Sequence, residues 1–590
     1  MSKFTTKIGN PLVLGATKLN KGVNFAIAVD GDAKCPCLKV LQKGTYEEVA
    51  EISFDESMKF GEIYAMEVVE FDVKKYDYMY MLGEKIVPDK YAKLINHREV
   101  FGASAVCTYS VYEDRYNWDE KKEAISFDDA IIYRMHVRSF TAHKSSGTRY
   151  KGTFKGIVSK LPYLKELGVN VIELMPAYDF NEVKSAALKD DAINYWGYSD
   201  GHYFAPKASY ASKPKEASRE FKEMVQAIHN ASMELILEFH FVEDMKPQVI
   251  MDCIRYWVME YHIDGVHMNI NTVPVNMIKS DPLLANIKII GDRWELVSQD
   301  YSPASKRNNN LAICHDGFMC TMRRFLKGDE GLVYEMTSRL KENPKDASFI
   351  NYLSSHNSFT LMDSVSYDRK HNEANGENNQ DGSNLNYSWN CGVEGATRKK
   401  KVVELRRKQI KNALSMLFLS QGTPLLMAGD EMGKSAEGNN NPYCIDGDIN
   451  YINWNDLKKN KDIFEFVKFI IEFRKAHKIL HLPEEPRMMD YLSKGCPDLS
   501  IHGIEPWRPD FNYISRCFGM LYNEAYDDKK GKMYIMFNMY WEPQEFNIPA
   551  SERKMKWKLE FSTSDEIDDS GVVGRVFNMA PRSIAVLREV

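Results

Sequence analysis

Over residues 1 to about 125, short apolar runs alternate with polar positions and break at Gly, Asp or Asn. Val23-Asn24-Phe25-Ala26-Ile27, Leu38-Lys39-Val40-Leu41, Ala65-Met66-Glu67-Val68 and Tyr78-Met79-Tyr80-Met81 are the clearest of these runs. Brief strands of period two, punctuated by turns, predict a β-sandwich. The pattern changes at Ala130-Ile131-Ile132-Tyr133. Beyond it, apolar runs beginning near Ile131, Asn170, Glu234, Ile263, Ile287, Asn310, Ser348 and Thr423 alternate with helical periodicity. Phe221, Met224, Val225 and Ile228 share one helical face, and Val249 to Tyr261 and Ile463 to Ile479 behave alike. Eight strands with intervening helices predict an α/β fold, a (β/α)8 TIM barrel with insertions. After about residue 483 the helical pattern fades, and Met533-Tyr534-Ile535-Met536-Phe537 reads as strand again. The expected layout is therefore an N-terminal β-sandwich at 1–125, a barrel at 126–482 and a C-terminal β-sandwich at 483–590.

Composition narrows the partners. A chain of 590 residues is too long for one core. A net charge of -6 offers no basic surface for nucleic acid or an anionic membrane. No run approaches ~20 uninterrupted apolar residues, so no membrane span is expected. The opening MSKFTTKIGNPLVLGATKLN lacks a basic stretch followed by an apolar one, which points to a cytoplasmic protein. Ten cysteines are scattered, and their one close pair, Cys35-Pro36-Cys37, matches no zinc or redox spacing. Reduced thiols are expected, with no metal site and no cofactor. Aromatic residues reach 12%, a surplus that could serve sugar stacking.

Several long stretches carry a resemblance. Residues 371–397, HNEANGENNQDGSNLNYSWNCGVEGAT, and 420–444, SQGTPLLMAGDEMGKSAEGNNNPYC, are similar to loops of isoamylases and glycogen-debranching enzymes, members of the α-amylase superfamily (glycoside hydrolase family 13). GNPLVLGATKLNKGVNFAI resembles the glycogen-binding-type module that opens those proteins. Ile132 to Thr141 resembles their first barrel strand, and Asn194-Tyr195-Trp196-Gly197-Tyr198 and Arg255-Tyr256-Trp257 also match. The resemblance runs the whole chain in the family's order and implies the same barrel with flanking β modules.

The family's chemistry needs two carboxylates roughly 5–5.5 Å apart, a nucleophile and an acid, with a third that braces the sugar. The nucleophile strand matches Asp264-Gly265-Val266-His267-Met268-Asn269, so the resemblance puts Asn269 where the nucleophile belongs. An amide cannot ionise and is a very poor nucleophile. Asp264 cannot replace it, because 264 and 269 differ by an odd number and face opposite ways. His267 stands for an inward Arg. The acid position is Asp292, within Gly291-Asp292-Arg293-Trp294, where the family has Glu. One methylene less forfeits roughly 1.5 Å of reach, and adjacent Arg293 is expected to hold Asp292 ionised. The third position is Asn357, following His356. In Glu238-Phe239-His240-Phe241-Val242-Glu243, Val242 and Glu243 occupy the family's Asn-His positions, and the long loop that follows there is absent.

No member of the catalytic set is intact, which implies an α-glucan protein of glycogen or starch metabolism that does not cleave. Tyr195, Trp196, Tyr198, His356 and His267 are the expected sugar contacts. His202 is equally readable as a buried structural residue. Asp430-Glu431 is expected to anchor a loop and do no chemistry. The ligand would be glycogen, starch or a malto-oligosaccharide, and an active debranching enzyme is a candidate partner. Two other readings stay open: a hydrolase using Asp292 with a nucleophile such as Glu243, and an interaction scaffold that binds no sugar.

Overall fold

The computed structural model describes the chain except residues 1–3, 30–34, 104–106, 114, 120–122, 184–191, 270–272, 274, 293–309, 346, 528, 553–554 and 565–570. At its centre eight parallel strands close into a barrel in chain order. They are β1 (Ile132–Met135), β2 (Val171–Leu174), β3 (Glu234–Phe239), β4 (Gly265–Met268), β5 (Lys288–Gly291), β6 (Leu311–Cys314), β7 (Ser348–Tyr352) and β8 (Thr423–Met427). Pairing of β1 with β8 closes the ring. The apolar runs located all eight strands, with the largest offset at β4, where Ile263 precedes the observed start at Gly265.

Parallel barrel strands are covered on both faces, so they read as near-continuous apolar runs. Inward and outward side chains alternate along each. Ile132, Val171, Ile236, Ile290, Ala312, Ile350 and Leu425 pack into one apolar layer inside the ring, with Phe127 and Ala130. Two residues further on, the same parity brings Arg134, Glu173, Glu238, His267, Asp292, Cys314 and Tyr352 to the C-terminal mouth. The barrel is oily below and ionic above.

The outer helices follow the expected stripes. In the helix Ala217–Asn230 the buried face includes Phe221, Met224, Val225 and Ile228. Pro247–Tyr261 opens with Pro in its first turn and ends at His262, in the left-handed region at φ 53°. Only residues 240–246 separate β3 from that helix, so this connection is short, as the sequence indicates.

Two antiparallel sheets precede the barrel. One orders Thr5–Ile8, Ile63–Val69, Gly22–Ala28 and Gly15–Leu19, with Lys59–Phe60 on Ile63–Val69; the other orders Glu48–Ser53, Cys37–Gln42, Tyr76–Leu82 and Lys85–Val87. Val23 and Phe25 of the first share a core with Leu38, Val40, Tyr78 and Tyr80 of the second. Beyond the barrel a six-stranded sheet packs on a two-stranded one. Its strand Lys532–Asn538 is buried on both faces: Met533, Ile535 and Phe537 join the barrel's core, while Tyr534 and Met536 pack beneath the smaller sheet. Among the described residues no helix is long and apolar enough to cross a membrane. All ten cysteines are free thiols.

Candidate functional site

The polar layer at the barrel mouth is a single ionic network. Arg134 from β1 donates to Glu238 Oε2 at 2.6 Å, and its Nε lies 3.3 Å from Glu173 Oε1. Tyr198 donates its hydroxyl hydrogen to Glu238 Oε1 at 2.9 Å and accepts from Arg134 at 3.1 Å. His267 sits between two carboxylates, with Nδ1 2.8 Å from Glu173 and Nε2 3.0 Å from Asp292. The thiol of Cys314 lies 3.6 Å from the same Nε2. Burial works against the imidazolium, but the contact with Cys314, the charge of Glu173 and the hydrogen bond to Asp292 outweigh it and hold His267 well above its ordinary pKa. For Asp292, burial pushes the carboxyl up; the hydrogen bond and charge of His267, then Arg134, more than offset it and leave a pKa of about 2. At neutral pH Asp292 is a carboxylate. Arg293, the expected cause, lies outside the described residues; among the described residues His267 lowers the Asp292 pKa most.

Asn269 follows β4 and is committed to the backbone. Its Oδ1 accepts from the Phe241 N–H at 2.9 Å, and its Nδ2 donates to the Phe241 carbonyl at 2.8 Å. This two-way clasp uses both halves of an amide; a carboxylate could make the first bond and would be repelled at the second. Asp264 turns to the opposite side, where it accepts from Leu235 N–H at 2.7 Å and pairs with His229 Nε2 at 2.8 Å. Asn357 is exposed and accepts from Ser355 Oγ at 2.8 Å.

The mouth opens into a cavity of about 420 Å³ lined in part by Arg134, Tyr198, Glu238, Asn269, Asp292 and His356. Glu243 is exposed and is not among its lining residues, which removes the suggested alternative nucleophile from the vicinity of Asp292. Tyr198 also faces an adjoining cavity of about 460 Å³ lined by Trp196 and Tyr443. Trp196 meets His356 edge-on at 4.7 Å. Burial and the nearby Arg134 charge hold His356 neutral, and its Nδ1 has no hydrogen-bond partner.

Two expected sugar contacts are corrected. Tyr195 is fully buried, stacks on His136 at 4.4 Å and shares a 2.7 Å hydrogen bond with Ser139, so its ring offers no face to a ligand. His267 is 1% exposed and spends both nitrogens on carboxylates. Trp196, Tyr198 and His356 keep positions on the cavities. His202 lies elsewhere, against Asp89 of the N-terminal module. Asp430 accepts from Leu361 N–H at 2.9 Å, and Glu431 accepts from Tyr133 and Tyr163 at 2.8 and 2.6 Å. Both are buried braces beneath the loop, away from the ionic layer.

The known proteins agree with this architecture. The model of the α-amylase catalytic domain matches residues 134–246. The glycogen operon protein GlgX homolog of Haemophilus influenzae is 30% identical, over 78% of this chain and 83% of its own. The chain belongs to the isoamylase and glycogen-debranching branch of the α-amylase superfamily. The chloroplastic isoamylase 3 of Oryza sativa subsp. japonica is 29% identical over 99% of this chain and 87% of that protein. A pullulanase from Anoxybacillus sp. LM18-11, complexed with maltotetraose, superposes with a TM-score of 0.72 at 20% identity, over 98% of this chain and 87% of that one. Membership places the protein in carbohydrate metabolism.

For an isoamylase-type barrel, the residues missed in the sequence are the most informative. Arg134, Glu173, Glu238 and Cys314 build the ionic layer with His267 and Asp292. Each lies two residues beyond an apolar core position of its own strand (Ile132, Val171, Ile236 and Ala312), so the alternation within each apolar run is the signal present in the sequence. No metal site was expected, yet His267, Asp292 and Cys314 form one group of ligand-type atoms lying within 4.8 Å of one another, and Glu173, Glu238 and His267 form another.

Proposed function

We propose that this chain is a non-catalytic member of the isoamylase branch that binds α-glucan at the barrel mouth and acts as a glucan-binding or regulatory subunit. The carrying observation is the clasp of Asn269 on the Phe241 backbone; the sequence resemblance assigns that position to the family's nucleophile, and an amide cannot attack. Asp292 adds to this: an acid catalyst must hold its proton at working pH, and a carboxyl with a pKa of about 2 does not. Retained binding is supported by the two adjoining cavities, by the aromatic edge of Trp196 and Tyr198, and by the maltotetraose complex of the pullulanase neighbour.

Calorimetric titration with maltoheptaose tests binding, and reducing-end release from amylopectin and pullulan tests turnover. The proposal expects saturable heat and no release. Neither heat nor release would favour an interaction scaffold. Release abolished by Glu238→Gln or Asp292→Asn would establish a hydrolase with a rearranged acid pair. For the regulatory role, adding the chain to an active debranching enzyme should change that enzyme's rate on amylopectin, and Trp196→Ala should weaken the effect.

A further inference from the structure

The ionic layer contains more donor chemistry than a defunct glycosidase centre needs. His267 Nε2, Asp292 Oδ1 and Cys314 Sγ come from the ends of three successive strands, β4, β5 and β6, and point at one another. The observed separations are 3.0 Å from Nε2 to Oδ1 and 3.6 Å from Nε2 to Sγ. A tetrahedral zinc ion with ordinary bond lengths of about 2.0 Å to N and O and about 2.3 Å to S requires ligand spacings of roughly 3.3 and 3.6 Å. The two separations measured from Nε2 are thus close to those that a shared ion would impose, and the remaining pair of ligand atoms lies within 4.8 Å.

The support behind the ligands is a separate observation. Metal-binding histidines usually give their other ring nitrogen to a carboxylate, which fixes the tautomer and ring plane. Here Glu173, fully buried on β2 and reaching across the barrel interior, takes His267 Nδ1 at 2.8 Å and leaves Nε2 aimed at Asp292 and Cys314. Arg134 stays engaged with Glu238 on the far side. Asp292 has 62% of its side chain exposed on the mouth cavity, so a fourth coordination position is open to solvent.

We propose that His267, Asp292 and Cys314 form a binding site for a borderline-soft divalent cation, Zn²⁺ in the first instance, with Glu173 as positioning residue and water in the fourth position. The charge balance permits it. Without an ion, the carboxylates of Glu173, Glu238 and Asp292 face the cations of Arg134 and His267. Binding one dication releases two protons to solvent, one from His267 Nε2 and one from the Cys314 thiol, and leaves the net charge of the layer unchanged. Affinity should therefore rise with pH. The site rests on these side chains alone and stands whether or not the cavity binds glucan.

The test is loading of the chelator-stripped full-length protein with Zn²⁺ and, separately, Co²⁺. The expected result is saturable uptake of one ion per chain, a cobalt spectrum with tetrahedral d–d bands and a thiolate charge-transfer band, and loss of that band in Cys314→Ser. Cys320→Ser, on a barrel helix, should leave the spectrum intact. Glu173→Gln should weaken Zn²⁺ affinity about 10- to 100-fold while Cys314 still ligates. If the wild type takes up no stoichiometric ion, or if Cys314→Ser keeps both the affinity and the charge-transfer band, the proposal is overturned.

Discussion

Asn269→Asp changes one side-chain group of a half-buried residue. The Phe241 N–H keeps its acceptor, while the Phe241 carbonyl loses its donor and meets a carboxylate oxygen where the Nδ2 stood at 2.8 Å. Stranding a buried carbonyl costs about 1–3 kcal/mol. Repulsion from the facing carboxylate puts the expected loss at the upper end, roughly 2–3 kcal/mol at neutral pH. The loss also has a pH signature. Repulsion by the carbonyl raises the pKa of the introduced carboxyl in the folded state above its unfolded value, so the folded state holds the proton more tightly. The charge penalty is absent below the unfolded pKa of about 3.9 and grows as pH rises through the folded one. Thermal unfolding of wild type and variant, followed by fluorescence across pH 4 to 8, reads this directly: the midpoints should diverge with rising pH. On the proposed reading the variant should still release no sugar, because positions 292 and 357 are proposed to be altered as well and such roles are non-additive. A variant as stable as wild type at pH 8, with no pH dependence in the difference, would refute the clasp as a structural device.

Other outcomes follow from the same geometry. Tyr195→Phe should cost about 1 kcal/mol of stability through the lost Ser139 bond and leave glucan affinity unchanged, whereas Trp196→Ala should lower affinity about tenfold or more in a maltoheptaose titration. Burial raises Glu431 to about 7, against partial relief from the Tyr163 and Tyr133 hydroxyls, and raises Asp430 to about 6. The folded chain then binds more protons than the unfolded one between about pH 4.5 and 7, so stability falls as pH rises through that window, by roughly 3 kcal/mol for Glu431. Glu431→Gln should flatten the profile of unfolding midpoint against pH; an unchanged slope would contradict it. His267→Gln removes a buried cation between two carboxylates and should destabilise by about 3–5 kcal/mol, measured by denaturant midpoint.

The fold was legible because parallel barrel strands are apolar on both faces, and the runs at Ile131 through Thr423 stand out without any knowledge of pairing. The flanking β units were legible for the opposite reason, alternation, though in Lys532–Asn538 both faces turned out to be buried. The site was legible only in part. Resemblance singled out positions 269, 292 and 357, but what those residues contact could not be read from it. The clasp between Asn269 and Phe241 joins two strand ends 28 positions apart, and the hold of His267 on Asp292 acts across a strand pair, where sequence adjacency gives no sign of it. Tyr195 shows the converse error. Within Asn194-Tyr195-Trp196-Gly197-Tyr198 three aromatic rings look alike in sequence, and only packing reveals that the first points into the core.

Proton NMR of a branched malto-oligosaccharide incubated with the purified chain addresses the central claim in one experiment. The account predicts that the glucan resonances broaden with protein concentration while the α-1,6 anomeric signal keeps its full intensity over days. A steady decline of that signal, matched by growth of new reducing-end anomers and abolished by altering residues 238 or 292, would contradict it.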